Sequence, residues 1–210
     1  MERVNEIKKL SGGRCLVLLE SGFQFPLYVR ELSGYDLSEG VVIQKETITK
    51  IMDDVLKKRA RLCAMHLLER MSRTEFQLRE KLRQAYYPEQ IIEDAIQYVK
   101  EYHYVDDLRY AIGYLENHSS AKSLRQMEQE LYTKGVAKEV VAQAITESEL
   151  PDEESQIHIL LEKKHYDPSS TDRKEQKKLY DFLIRKGYSS SAVLCAINQR
   201  ESSNENTSFD

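Results

Sequence analysis

The chain has 210 residues, 40% of them hydrophobic and 31% charged, with a net charge of -4. That length holds one large domain or several small ones, and the absence of any run of about 18 apolar residues excludes a membrane-spanning helix. The mild acidic balance excludes a nucleic-acid binder that works by bulk charge, although local basic faces stay open. Eight Gly and four Pro, in a chain rich in Lys, Glu, Leu and Gln, favour helix.

The opening "MERVNEIKKL" lacks the apolar core of a secretory leader. "RCLVLLESGFQFPLYV" then places β-rich runs around Ser21-Gly22, and "GVVIQK" follows Gly40, so two to four short strands are expected. Gly12-Gly13 precedes Arg14-Cys15 rather than a phosphate-loop Lys-Ser/Thr, and reads as a turn. A lone hairpin is marginal in water, so this sheet should lean on the first helical unit after it.

From Leu56 onward the spacing is helical. Leu56, Ala60, Cys63, Leu67 and Met71 make one stripe, and "SRTEFQLREKL" begins with Ser72 and Glu75 at capping-box spacing. "LRQAYYPEQIIEDAI" runs from Leu82 to Ile96. "LYTKGVAKEVVAQAI" (131–145) and "LIRKGYSSSAVLCAI" (183–197) align with it without a gap. Each starts with Leu, carries a small or apolar pair in its middle and ends in Ala-Ile. A period near fifty residues signals tandem supersecondary units. Gly135 and Gly187 stand four residues after the Leu, where a helix end favours a left-handed residue; Tyr86 takes that place in the first unit, and Pro88 suits the first turn of the next helix. Upstream, Leu124, Met127 and Leu131, or Leu179, Phe182 and Leu183, supply a second helix. Tyr110, Ala111, Tyr114 and Leu115, or Ile157, Leu160 and Leu161, supply a first.

The expected fold is mainly α: three tandem three-helix repeats forming an elongated curved array, with a small N-terminal β-rich extension. The segments are 1–50 for the extension, 51–105, 106–150 and 151–200 for the repeats, and 201–210, "ESSNENTSFD", for a disordered tail. Ile96, Ile145 and Ile197 should be buried at equivalent positions.

Few residues suggest chemistry. Cys15, Cys63 and Cys195 are odd in number and form no C-x-x-C pair, which argues against a disulfide framework or zinc site and fits a reducing cytoplasm. No two of the five His residues are spaced for a metal, and Asp53-Asp54 and Asp106-Asp107 precede periodic stretches, where helix capping is expected. Neither catalysis nor a cofactor is expected. Charge is segregated: residues 57 to 83 hold nine basic and three acidic side chains, net +6. Lys57, Lys58, Arg61, Arg73, Arg79 and Arg83 form basic edges that suit phosphates or an acidic protein groove, and Arg109, Lys122, Arg125 and Lys134 extend the series. A second basic cluster lies between Arg173 and Lys186. Tyr102, Tyr104, Tyr110 and Tyr114 make a Tyr-rich segment that suits packing or an interface.

Over about residues 50–200 the chain resembles the RecX family of bacterial regulatory proteins. The resemblance rests on "RMSRTEFQLREKL", "YVDDLRYAIGYL" and "MEQELYTKGV". Asp107, Tyr110, Ala111 and Tyr114 match the family's Asp-x-x-aromatic-Ala-x-x-aromatic pattern, and Glu130, Leu131, Lys134, Gly135 and Val136 match its Glu-Leu-x-x-Lys-Gly-aliphatic end. His118 stands where members often carry a basic residue, and Ser123 where they often carry Gly. The resemblance implies three three-helix repeats and a modulator that binds RecA and RecA–DNA filaments, restraining strand exchange, ATP hydrolysis and co-protease activity in DNA repair, recombination and the SOS response. A cytoplasmic monomer with no membrane partner is expected, with DNA as a weaker direct contact. The residues by themselves also fit a helical-repeat scaffold for another protein or a three-helix DNA-binding module.

Overall fold

The computed structural model describes residues 1–166 and 172–202. The chain is mainly helical, with three three-helix units in tandem after a small N-terminal strand region. It divides into two compact units, residues 1–106 and 107–210.

In the first unit, β1 (Glu2–Lys9), β2 (Arg14–Leu19), β3 (Gln24–Tyr28) and β4 (Val42–Ile43) form an antiparallel sheet in the order β3-β2-β1-β4. Gly12 and Gly13, both at φ 70°, turn β1 into β2. Alternation along β2 and β3 buries Cys15, Val17, Leu19, Phe25 and Leu27 on one face. β1 occupies the middle of the sheet, yet its sequence alternates poorly. The register slips between Val4 and Glu6, and this bulge breaks the period of two on which a strand is recognised.

The short α1 (Val29–Leu32) leads through a turn to a continuous helical rod: α2 (Lys45–Lys50), a π-helical turn (Ile51–Leu56) and α3 (Lys57–Arg70). Within the wide turn, the Lys57 N–H donates to the Met52 carbonyl, five residues back. Asp53 and Asp54 lie inside this rod and do not cap it; Asp53 instead pairs with Lys57 one turn on, at 2.7 Å. Along the rod Leu56, Ala60 and Ala64 are buried, while Cys63 is only partly buried and Met71 is exposed beyond the helix end. Two alanines on this face let α5 (Glu89–Glu101) pack closely against α3. The cap of α4 (Glu75–Gln84) is Thr74, two residues after Ser72: its hydroxyl accepts from the Gln77 N–H while the Gln77 side chain accepts from the Thr74 N–H. Sheet and helices share one core running from Val4 to Val105.

The second unit holds α6 (Asp107–His118), α7 (Leu124–Thr133) and α8 (Lys138–Glu147) around one core, and α9 (Glu153–Lys163), α10 (Arg173–Arg185) and α11 (Ser190–Ser202) around another. The tail expected at 201–210 overlaps the last turn of α11, and its remainder, 203–210, lies outside the described residues. The two cores are joined at one turn. Ser123 caps α7 by accepting from the Gln126 N–H, and its hydroxyl donates to the Lys186 carbonyl at 2.6 Å. The Lys186 ammonium in return reaches the Ala121 carbonyl at 3.1 Å. Serine at this position therefore supplies both a cap and an inter-repeat bond.

The gapless fifteen-residue repeat has a structural meaning. Its Leu (82, 131 or 183) accepts, through its carbonyl, the N–H of the residue five positions on: Tyr87 at 3.2 Å, Val136 at 3.1 Å and Tyr188 at 3.2 Å. The residue between is left-handed, with φ 67° at Tyr86, 82° at Gly135 and 91° at Gly187. This is a helix-ending αL turn, and the buried Tyr87, Val136 and Tyr188 each join the same core as their Leu. Pro88 is the cap immediately before α5 rather than a member of its first turn. The equivalence weakens in the second unit, where Val140 is only partly buried although Ile91 and Ala192 are buried. Ile96 and Ile197 are buried, whereas Ile145 is half-buried, because α8 stops two residues past it while α5 runs five residues past Ile96.

Unfolding in urea tests both features. Truncating Ile96 to Ala should cost about 2–5 kcal/mol and Ile145 to Ala clearly less; equal losses would contradict the unequal burial. Tyr86→Gly should stabilise by up to about 1 kcal/mol by relieving a left-handed residue. Gly187→Ala should destabilise, since its Cβ would also stand 2.8 Å from the Ser123 hydroxyl. The opposite order would show that the turn is not strained.

Candidate functional site

Of the candidate basic residues of the first unit, Lys57, Lys58 and Arg61 lie on α3, Arg73 between the helices and Arg79 and Arg83 on α4, and the element that faces them is α5, whose exposed edge is acidic. The Arg61 guanidinium donates two hydrogen bonds to Asp94, at 2.7 and 2.8 Å, and lies over the Tyr98 ring, 4.8 Å from its centroid. Arg79 bridges Glu75 and Glu93, each at 2.8 Å, and Lys100 holds the other Glu75 oxygen at 2.7 Å. Arg83 forks onto Glu89 and reaches Glu80 at 2.6 Å. Hydrogen bonding to Glu93 and Glu75 raises the Arg79 pKa, against the opposing effect of burial. Burial alone would raise the Glu75 pKa, but the bonds from Lys100 and Arg79 outweigh it and hold the carboxyl below its usual range.

Most of the net +6 of residues 57–83 is thus met within the chain. Arg73 donates to the Leu67 carbonyl at 3.4 Å. Lys58 is exposed and has no ion pair among the described residues, and the same holds for Arg70, which sequence reasoning passed over. Arg59, also inside the basic stretch, is engaged by Glu31 at 2.5 Å and by the Tyr28 ring at 4.7 Å.

The second unit builds a tighter polar cluster. α6 presents Tyr110, Tyr114 and His118 on one face at helical spacing, with ring centroids 6.4 Å and 4.2 Å apart along the series. The Tyr114 hydroxyl donates to Glu130 of α7. Lys122 donates to the same carboxylate at 2.5 Å and to the Tyr114 oxygen at 2.9 Å, and Gln126 donates to the other carboxylate oxygen at 3.1 Å. Lys122 and Lys134 each lie 5.4 Å from the Tyr114 ring centroid. Hydrogen bonds from Lys122 and Tyr114 pull the Glu130 pKa down to about 2. Lys122 and Lys134, expected on a partner-facing series, thus also clamp α6 to α7. Arg125 is exposed and carries no ion pair among the described residues; Arg109 is exposed. Within the Tyr-rich segment, Tyr102 and Tyr104 are exposed and Tyr110 and Tyr114 are partly buried.

Among the described residues no group of three or more His, Cys, Asp or Glu side chains could hold a metal ion, and no helix is long and apolar enough to cross a membrane. Cys15, Cys63 and Cys195 form no disulfide among the described residues.

Family comparison matches the first three-helix domain of RecX at residues 60–98, the second at 106–145 and the third at 152–197. The regulatory protein RecX of Clostridium botulinum strain Eklund 17B is 29% identical over 188 residues, covering 87% of this chain and 88% of that protein. The regulatory protein RecX of Vibrio parahaemolyticus is 35% identical over 136 residues, covering 64% and 87% respectively. Among solved structures, a crystal structure of regulatory protein RecX superposes with a TM-score of 0.59 at 21% identity, covering 93% of this chain and 98% of that one. RecX from Lactobacillus salivarius gives 0.57 at 20% identity, covering 69% and 96%. At these identities the structural likeness speaks to the fold.

The Tyr114–Lys122–Glu130 cluster has a pH signature. The folded-state pKa of Glu130 lies below its usual 4.5, so its contribution is complete above that value and is lost as pH falls toward about 2. The Lys122 pKa is raised, chiefly by the bond to Glu130, so its share is lost only at strongly alkaline pH. The difference in urea midpoint between the parent chain and Glu130→Gln should therefore be constant near neutrality and should shrink between pH 4.5 and 2. A difference that does not change across that window would mean that the carboxylate is not clamped.

Proposed function

Because this chain belongs to the RecX family of regulatory proteins, we propose that it regulates RecA. It binds RecA and RecA–DNA filaments and lowers strand exchange, ATP hydrolysis and co-protease activity, and so acts in DNA repair, recombination and the SOS response. The observation that carries this reading is the presence of all three RecX three-helix domains along one chain. Regulation of this kind requires no catalytic group: a protein bound across filament subunits alters their packing by differential affinity for two arrangements.

Contact with the filament is assigned to Lys57, Lys58, Arg61, Arg73, Arg79 and Arg83 of the first unit and to Arg109, Lys122, Arg125 and Lys134 of the second. These residues are unequal. Lys57, Arg61, Arg79, Arg83 and Lys122 must exchange a carboxylate of their own chain for one of the partner, or share it with a phosphate. Lys58 and Arg125 reach a partner without that exchange. They carry more of the binding per residue, and binding weakens as salt rises.

The test is ATP hydrolysis by RecA on single-stranded DNA, titrated with the chain. Hydrolysis should fall. The double variant Lys58→Glu, Arg125→Glu should need about tenfold more protein for the same inhibition, at roughly 0.5–1 kcal/mol per exposed charge. Its unfolding midpoint should barely move. Arg61→Glu or Arg79→Glu is a poorer probe, because each leaves carboxylates of the fold unpaired. Hydrolysis that is unaffected at any concentration of the chain contradicts the RecA reading. Inhibition that survives the double variant unchanged removes the basic residues from the contact and leaves that reading standing.

A further inference from the structure

The end of α5 carries an exposed aromatic surface. α5 ends in the same kind of αL turn as the repeat helices: His103 has φ 54°, its N–H donates to the Lys100 carbonyl, and the Tyr104 N–H donates to the Val99 carbonyl, both at 2.9 Å. The turn folds Tyr104 back beside Tyr102. Their ring centroids are 6.0 Å apart and 17° from parallel, and Tyr98 lies 4.9 Å from Tyr102 on the helix itself. Tyr102 is 57% and Tyr104 54% exposed. A stacked aromatic run left open to water at a helix end has the composition of an interface anchor, since tyrosine gives large contact area at low entropy cost.

The charges around the run select what can cover it. Glu93, Asp94 and Glu101 line the groove with Tyr98 and Tyr102; Arg61 is in the lining, and Arg79 holds Glu93 from outside it at 2.8 Å. Three carboxylates against these two guanidiniums leave the groove at net -1. Such a rim repels phosphate, which disfavours a nucleic-acid strand stacked on the tyrosines, and attracts cations. The groove also displays how it holds a cation, because Arg61 lies flat over Tyr98 while forking onto Asp94. That combination of ring face and carboxylate fits a planar guanidinium better than the point charge of an ammonium. At the end of α5 a second ring and carboxylate line the groove: the Tyr102 ring is exposed, and Glu101, near enough to raise the Arg61 pKa, accepts from the Gln97 side chain at 3.2 Å through one of its two oxygens.

We propose that the Tyr98–Tyr102–Tyr104 run is a docking groove for an arginine-bearing segment of a protein partner, with the incoming guanidinium stacked on Tyr102 and bonded to Glu101. The groove shares Arg61 with the basic contacts, but the proposal does not rest on the RecA reading.

The experiment is fluorescence anisotropy of a fluorescein-labelled Gly-Ser peptide carrying two arginines, titrated with the full chain. Saturable binding is expected. Tyr102→Ala and Glu101→Gln, both at exposed positions, should each weaken it about fivefold, the range of a single exposed cation–π or ion-pair contact. The same peptide with lysine in place of arginine should bind more weakly. Lack of saturation at millimolar concentration, or equal binding by the Tyr102→Ala chain, overturns the proposal. Equal affinity for the lysine peptide overturns it too, since charge alone would then explain binding. If a labelled oligothymidylate binds and is lost on Tyr102→Ala while the peptide is unaffected, the run is a base-stacking surface and the proposal is wrong. No RecA is present in this titration, so its failure and that of the regulatory reading are separable.

Discussion

The three-helix units depend on one backbone reversal, the αL turn between the second and third helix of each. The carbonyl of Leu82, Leu131 or Leu183 receives the N–H of Tyr87, Val136 or Tyr188. The bond fixes the exit direction of the chain and places a buried side chain against the Leu that begins the turn. The third helix then starts two residues later, at Glu89, Lys138 or Ser190. Because successive helical residues are about 100° apart, one residue more or fewer in this connection would rotate the Ile91-Ile92, Val140-Val141 or Ala192-Val193 face away from the second helix. Glycine satisfies the left-handed position in two units. In the first, Tyr86 does so at a steric cost that the surrounding core offsets.

Electrostatics divides differently between sequence and space. Read along the chain, residues 57–83 are strongly basic. In space, Asp53, Glu89, Glu93, Asp94 and Glu31 bring carboxylates from before and after that window to Lys57, Arg79, Arg83, Arg61 and Arg59. These pairs are largely at the surface, and each contributes little stability on its own. Their effect is to lower the charge available to a partner and to fix the orientation of the arginines. Lys58 and Arg70 are among the few cations of this stretch left without an ion pair among the described residues.

Much of the fold was legible because helical periodicity and turn chemistry are local. The Leu-to-Ile alignment, the glycines at 135 and 187 and the alternation of β2 all stem from neighbouring residues. The missed features are non-local or irregular. β1 was hidden by the bulge at Val4/Glu6. The α3 stripe departs from the expected spacing: Ala64 is buried where Cys63 is only partly so, and the helix ends at Arg70, which leaves Met71 outside. Thr74 and Gln77 outcompete Ser72 and Glu75 as the capping pair, although both spacings are present. The candidate site was less legible still. The bonds of Arg61 to Asp94, 33 residues away, and of Tyr114 to Glu130, 16 residues away, depend on which helices meet. A partial signal did exist for the second pair, since both residues fall in the motifs that carry the family resemblance.

The dependence of each unit on its αL turn can be measured without altering the protein, by native-state hydrogen exchange. The amides of Tyr87, Val136 and Tyr188 close the three turns. Each should exchange only with the opening of its own core, and so be protected as strongly as Ile92, Val141 and Val193 in the third helices. Exchange of the three turn amides orders of magnitude faster than these core amides would show that the turns open while the cores stay intact, and that the units do not depend on them.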